Sequence, residues 1–262
     1  MVTAASGSES ELAARALAWR RRSLAAVCDV IEPWAHGTVA RATRYPDYFD
    51  FNVVVVEDDP AMSVDGLIAV ADRALAGLAH RRIDFDLVGA AEPLRAGFEA
   101  RRWKTSRLLW MRHATPPRPG PAVAVEEVDY DGVIDLRAAW YQEDFPGQDP
   151  ARYHAQAREA TLRRDVQILA LREVGMLVAF AQLERDGPAA EITQVYVHPQ
   201  HRGRGRGTAL TRAAIEAAGD ARDLWILADD EGRPKELYAR LGFCPVRTTM
   251  DFTRWPDDPR QR

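Results

Sequence analysis

Cysteine is almost missing from this 262-residue chain: Cys28 and Cys244 stand alone and far apart. That excludes a disulfide framework and a cysteine-based metal site. Lysine is equally scarce, with Lys104 and Lys235 the sole examples, so the positive charge is carried by arginine. Long apolar runs are lacking too. No stretch approaches the ~20 apolar residues of a membrane-spanning helix, and residues 1–10 have neither the cationic start nor the apolar core of a signal peptide. Neither sign of charge dominates, the net being −4, which removes the global basic field of a nucleic-acid binder. These absences point to a reducing cytoplasm, with no metal, nucleic-acid or membrane partner expected. What is present in ordinary measure is apolar side chain, 47% of residues. That is enough core for one large domain or two small ones.

One stretch concentrates chemistry. The β-branched run Val195-Tyr196-Val197 meets His198-Pro199, and Arg202-Gly203-Arg204-Gly205-Arg206-Gly207-Thr208 follows. Leu210, Ala213, Ala214 and Ala217 then recur at helical spacing. The glycines therefore occupy a strand-to-helix turn. The first helical N–H groups, lacking intrahelical partners and carrying the positive end of the macrodipole, point into that turn. Such a loop suits a phosphorylated ligand. It is not a P-loop, because no lysine is present to reach a terminal phosphate, and its Gly-x-Gly-x-Gly spacing departs from the dinucleotide fingerprint. An arginine-glycine box that binds RNA is normally disordered, whereas this one is pinned between two regular elements.

Two motifs carry a family resemblance. Arg202-x-x-Gly205-x-Gly207, behind a strand ending Val197-His198-Pro199, resembles the acyl-CoA pyrophosphate loop of the GNAT superfamily of N-acetyltransferases. Tyr238-Ala239-Arg240-Leu241-Gly242-Phe243 resembles that superfamily's Tyr-x-x-x-Gly-Phe motif. The resemblance covers roughly residues 122–254. It implies an α/β (α+β) GNAT-like fold, acetyl-CoA as cofactor, and direct transfer of an acetyl group to a primary amine. It also implies site residues. Arg202, Gly203, Arg204, Gly205, Arg206, Gly207 and Thr208 would hold the pyrophosphate. Val195, Tyr196 and Val197 would flank the pantetheine arm, with the Val195 N–H as oxyanion donor. Tyr238 would be the general acid, since an ordinary phenol stays protonated at neutral pH. Glu191, by period two on the face of Thr193, Val195 and Val197, would be the base. Another reading from a different class stays open: an acyl-CoA-binding regulatory or scaffold protein without turnover, separated from an enzyme by its failure to release thiol.

The rest of the chain shows an internal echo. Strand, helix, strand, helix and strand are expected over residues 52–57, 64–78, 83–87, 91–102 and 106–111. The same order is expected over 192–197, 208–218, 223–228, 234–241 and 246–252. Phe98 lies 44 positions after Val54, and Tyr238 lies 43 after Val195. The first half reads as a diverged copy in which Glu57-Asp58-Asp59 replaces the arginine-glycine loop. The expected organisation has four parts: a non-catalytic GNAT-like domain over 1–113, a Pro-rich linker over 114–121, a catalytic domain over 122–255, and a tail over 256–262. An amphipathic helix over 9–32 stopped by Pro33, a solvated arginine face at 20–22 and a loop over 36–48 complete the first domain. The implied assembly is a monomer acting as an internal pseudo-dimer, or a homodimer.

Overall fold

Apolar runs of period two and period 3.6 alternate along the chain, and the secondary structure follows them. The computed structural model describes residues 3–116 and 123–255, with side chains from residue 10 onward. The first half contains helix α1 (Thr3–Val27), strands β1 (Val30–Trp34), β2 (Gly37–Arg41) and β3 (Asn52–Val56), and helix α2 (Val64–Ala74). Strand β4 (Arg81–Phe85), the short helices α3 (Val88–Ala91) and α4 (Arg95–Glu99), and strand β5 (Lys104–His113) follow. The second half contains β6 (Val125–Val128), α5 (Ile134–Asp144), α6 (Ala151–Leu162), β7 (Asp165–Glu173), β8 (Met176–Asp186) and β9 (Ala189–Val197). It ends with α7 (Arg206–Ala218), β10 (Asp223–Asp229), α8 (Pro234–Arg240) and β11 (Phe243–Arg254). Linker residues 117–121 and the tail 256–262 lie outside the described residues.

Two compact units result. One comprises Met1–Trp110, Asp229–Glu231 and Val246–Arg262; the other comprises Met111–Ala228 and Gly232–Pro245. Each is a mixed sheet flanked by helices. In the first, strands run β1-β2-β3-β4-β11, with β3 and β4 parallel and the other neighbours antiparallel. In the second, β6, β7, β8 and β9 form an antiparallel meander, and β10 joins β9 in parallel. No helix among the described residues is long and apolar enough to cross a membrane.

The first unit's core is built from β3, β4, α2 and the aromatic residues behind them. Val54, Val56, Leu67, Leu75, Ile83 and Phe85 are fully buried. Phe98, also fully buried, stacks on Phe252 with ring centroids 4.0 Å apart, and Trp103 meets it edge-on at 5.2 Å.

Three expectations change here. The first helix ends at Val27, not at Pro33, and a β1–β2 hairpin replaces the expected loop. Asp29 fixes the exit by accepting from the Thr43 amide at 2.7 Å. Pro33, without an N–H, is tolerated because β1 is an edge strand. The arginines at 20–22 are not simply solvated: Arg20 donates to Asp84 at 2.8 Å and Arg21 to Glu57 at 2.7 Å. Lastly, β11 passes into the first unit, where Met250 pairs with Phe85 and Arg254 with Arg81. Its apolar alternation specified a strand without specifying a sheet.

Candidate active site

In the second unit, β9 is paired on both sides only along its first half. Its parallel ladder with β10 runs from Ala189↔Asp223 to Ile192↔Ile226 and stops. Beyond that point the register with β8 slips: Thr193 faces Gln182, Tyr196 faces Phe180, and no β8 residue is matched to Gln194 or Val195. Gln194 takes a left-handed backbone, φ 52°. A non-glycine residue held there costs about 1–3 kcal/mol, so the surrounding structure must impose it. The outcome is a β-bulge at the point where β9 loses β10.

The bulge overturns the period-two reading of this strand. Opposite partners in an antiparallel ladder share a face, so Glu191, Thr193 and Tyr196 lie with Glu184, Gln182 and Phe180. Val197 falls on the other face with Ala179 and Ile192. The extra residue inverts the alternation.

Past Val197 the chain makes a 3-10 turn over Pro199–His201 and enters the glycine loop. Gly203 and Gly205 have φ of 77° and 76°, which glycine adopts without strain. Gly205 is the N-cap of α7, and no side chain caps that end. The Ala209 N–H bonds back to the Gly205 carbonyl at 3.0 Å, leaving the amides of residues 206–208 at the open end of a 13-residue helix. Gly207 differs from its neighbours: a Cβ there would meet Leu237 Cδ1 at 3.7 Å and Val197 Cγ2 at 3.8 Å, ordinary contacts. Nothing in the fold itself demands a glycine at that position.

These elements wall a cleft of about 850 Å³. It is lined by Val195, Tyr196, Val197, Arg202, Gly203, Gly205, Arg206, Gly207, Thr208 and Tyr238, all expected from the sequence. Trp140 and Leu237, which sequence reasoning did not place there, also line it. Arg204 and Glu191 do not. Arg204 is exposed on the loop, and Glu191 is buried opposite Glu184 and beside Trp225.

Two carboxylates staple the loop. Glu143 at the end of α5 accepts from Arg202 at 2.8 and 2.9 Å and from the Tyr196 hydroxyl at 2.8 Å. Glu173 at the β7–β8 turn accepts from Arg206 Nε at 2.6 Å and pairs with His201 Nδ1 at 3.3 Å. The bonds to Arg206 hold the Glu173 carboxyl below its usual range. Two of the three loop arginines are thus already engaged.

Tyr238 sits on α8, whose first turn begins with Pro234. Just past the C-cap Leu241, Gly242 takes φ 93°, and a Cβ there would fall 1.8 Å from the Thr115 carbonyl oxygen. That contact accounts for the glycine of the motif. Tyr238 is 7% exposed, and burial pushes its phenol up to about 12. Among the described residues, no group of three or more His, Cys, Asp or Glu is placed to hold a metal ion.

A strand parting from its parallel neighbour at a bulge, followed by an open glycine-arginine helix start, is a specific arrangement. The profile of the Acetyltransferase (GNAT) family matches residues 133–243, and that segment is a domain of the family. Among curated proteins, the mycothiol acetyltransferase of Segniliparus rotundus is 38% identical over 79 residues, 29% of each chain. That of Tsukamurella paurometabola is 38% identical over 68 residues, 26% of this chain and 22% of the relative. The matched segment therefore spans under a third of these relatives. Among solved structures, a GCN5-related N-acetyltransferase from Kribbella flavida aligns over 92% of this chain and 95% of its own, with TM-score 0.60 and 18% identity. A functionally unknown conserved protein from Staphylococcus epidermidis aligns over 87% and 94%, with TM-score 0.65 and 13% identity. The fold is thus GNAT-like over most of the chain.

Proposed function

We propose that the second unit is an acetyl-CoA-dependent N-acetyltransferase that passes the acetyl group directly to a primary amine. The observation that carries this reading is the meeting, in one cleft, of the uncapped α7 N-terminus, the parted β9 strand and Tyr238. The fit to a diphosphate-bearing thioester is good: three amides stand at a positive helix end, and Gly207 leaves room that the fold does not need. Acetyl-CoA supplies the activated acetyl carbon. The amides of residues 206–208 would bind the diphosphate, and the half of β9 that β10 leaves unpaired would lie along the pantetheine arm. The Val195 N–H stabilises negative charge developing on the thioester oxygen as the amine nitrogen attacks. As the carbon–sulfur bond breaks, the Tyr238 hydroxyl gives its proton to the departing sulfur; its raised pKa keeps that proton in place across the neutral range. Glu191, on the opposite face from Val197, has no direct contact with the amine, whose proton leaves to water and returns through water to the Tyr238 phenolate.

The similarity to mycothiol acetyltransferases supports acetyl transfer, and the acceptor is assigned by class alone, as an amine. The first unit is assigned no transfer chemistry. Its β3–β4 ladder stays closed to Val56↔Phe85, and the Asp86 amide continues it to the Val56 carbonyl at 2.9 Å. Ser63 caps α2 by accepting from the Gly66 amide at 3.2 Å. Phe98, the counterpart of Tyr238 by sequence spacing, lies in its core and carries no hydroxyl.

Calorimetric titration with CoA, paired with thiol release from acetyl-CoA over an amine panel, tests the reading. Binding with turnover is expected. Binding without thiol release on any amine favours the regulatory acyl-CoA binder, and no binding removes both.

A further inference from the structure

The bulge that opens the cleft is gripped by one residue. Arg137, on the first turn of α5, is buried with its guanidinium 4.1 Å from the Tyr130 ring centroid and 4.7 Å from that of Phe180. The planar fork donates from Nη1 to the Gln194 side-chain oxygen and from Nη2 to that of Gln182. Gln194 is the left-handed residue of the bulge, and Gln182 is the β8 residue matched to Thr193 just before it. One turn further along α5, Trp140 stacks on Tyr196, the residue just after the bulge, with centroids 5.5 Å apart and planes 14° apart. The same helix therefore anchors both flanks of Val195. Arg137 itself does not line the cleft.

We infer that Arg137 is a positioning residue: it locks Gln194 in the left-handed conformation and so fixes the Val195 N–H toward the thioester oxygen. The inference rests on the transferase reading above. A guanidinium suits this task because its rigid fork reaches two amide oxygens at once while its faces stack on two rings; a lysine ammonium offers no such plane. Glycine would adopt the Gln194 backbone unaided, which supplies a rescue that a purely packing role would not give.

The test uses acetyl-CoA labelled with carbon-13 at the carbonyl and isotope-edited infrared spectroscopy of the bound thioester, with calorimetry for affinity. In the wild type the carbonyl band is expected to shift to lower wavenumber on binding. Arg137→Met should lose at least half of that shift while CoA affinity stays within about threefold, because the diphosphate amides on α7 are untouched. Adding Gln194→Gly to Arg137→Met should restore it. Should Arg137→Met not fold, Gln194→Ala and Gln194→Gly in the Arg137 background replace it, with the shift lost in the first and kept in the second. An unchanged band in Arg137→Met or Gln194→Ala, or no rescue by glycine, overturns the positioning role. A wild type that binds no acetyl-CoA, or binds it with the band at its free position, overturns the transferase reading and this inference together.

Discussion

Gly207→Ala separates ligand binding from folding at a single methyl group. Gly207 is the second residue of α7, and the added Cβ would rest at 3.7–3.8 Å from Leu237 and Val197, without a clash. Replacing a helical glycine by alanine then stabilises by up to about 0.5–1 kcal/mol, or roughly 1–4 °C in Tm for a domain of this size. Gly207 nevertheless lines the cleft, and the amides of residues 206–208, its own among them, are the ones assigned to the diphosphate. Losing one charge-assisted hydrogen bond there costs about 1.5–3 kcal/mol, which weakens CoA about ten- to a hundredfold. Calorimetric titration with CoA and a thermal scan on the same preparation read both effects. A variant that is more stable yet binds CoA within threefold of wild type would refute the placement of the diphosphate. One that loses more than about 1 kcal/mol of stability would show that the glycine serves the fold.

Tyr238→Phe is expected to lower kcat about a hundredfold with CoA affinity unchanged in titration; a kcat within threefold of wild type removes the acid role. Glu191→Gln should leave kcat/KM within about fivefold, because Glu191 is outside the cleft wall, and a hundredfold loss would restore it as the base. Burial pushes the Asp86 carboxyl up to about 6 from an ordinary 3.8. Its folded-state pKa being raised, the stability it contributes is complete below about pH 4 and lost as pH rises through about 6. Urea titrations should show wild type losing about 1–3 kcal/mol relative to Asp86→Asn between pH 4 and 7; parallel pH curves would contradict this.

Much of the site could be read from residue types because its demands are local. Gly203 and Gly205 take positive φ, Gly242 takes positive φ beneath a carbonyl oxygen, and Tyr238 lies four residues before it on α8. Features set by distant partners could not. Glutamine carries no signature of a left-handed backbone, so the bulge at Gln194, which inverts the facing of Glu191, was invisible to period-two counting. Glu143 and Glu173 staple arginines 59 and 33 residues further on, and nothing local marks them as partners of the loop. In the fold, Leu24, Val27 and Ile31 fit a helical stripe equally well when the helix ends at Val27 and Ile31 lies in the first strand of a hairpin. The last strand illustrates the same limit, since alternation along β11 says nothing about the sheet it joins.

The proposed transfer depends on main-chain amides at the start of α7 holding a diphosphate and so aiming a thioester at Tyr238. A crystal structure of the CoA complex tests it most directly. Diphosphate oxygens are expected about 3 Å from the amides of residues 206–208, with the sulfur beside the Tyr238 hydroxyl. A CoA molecule seated elsewhere, with those amides facing only water, would contradict it.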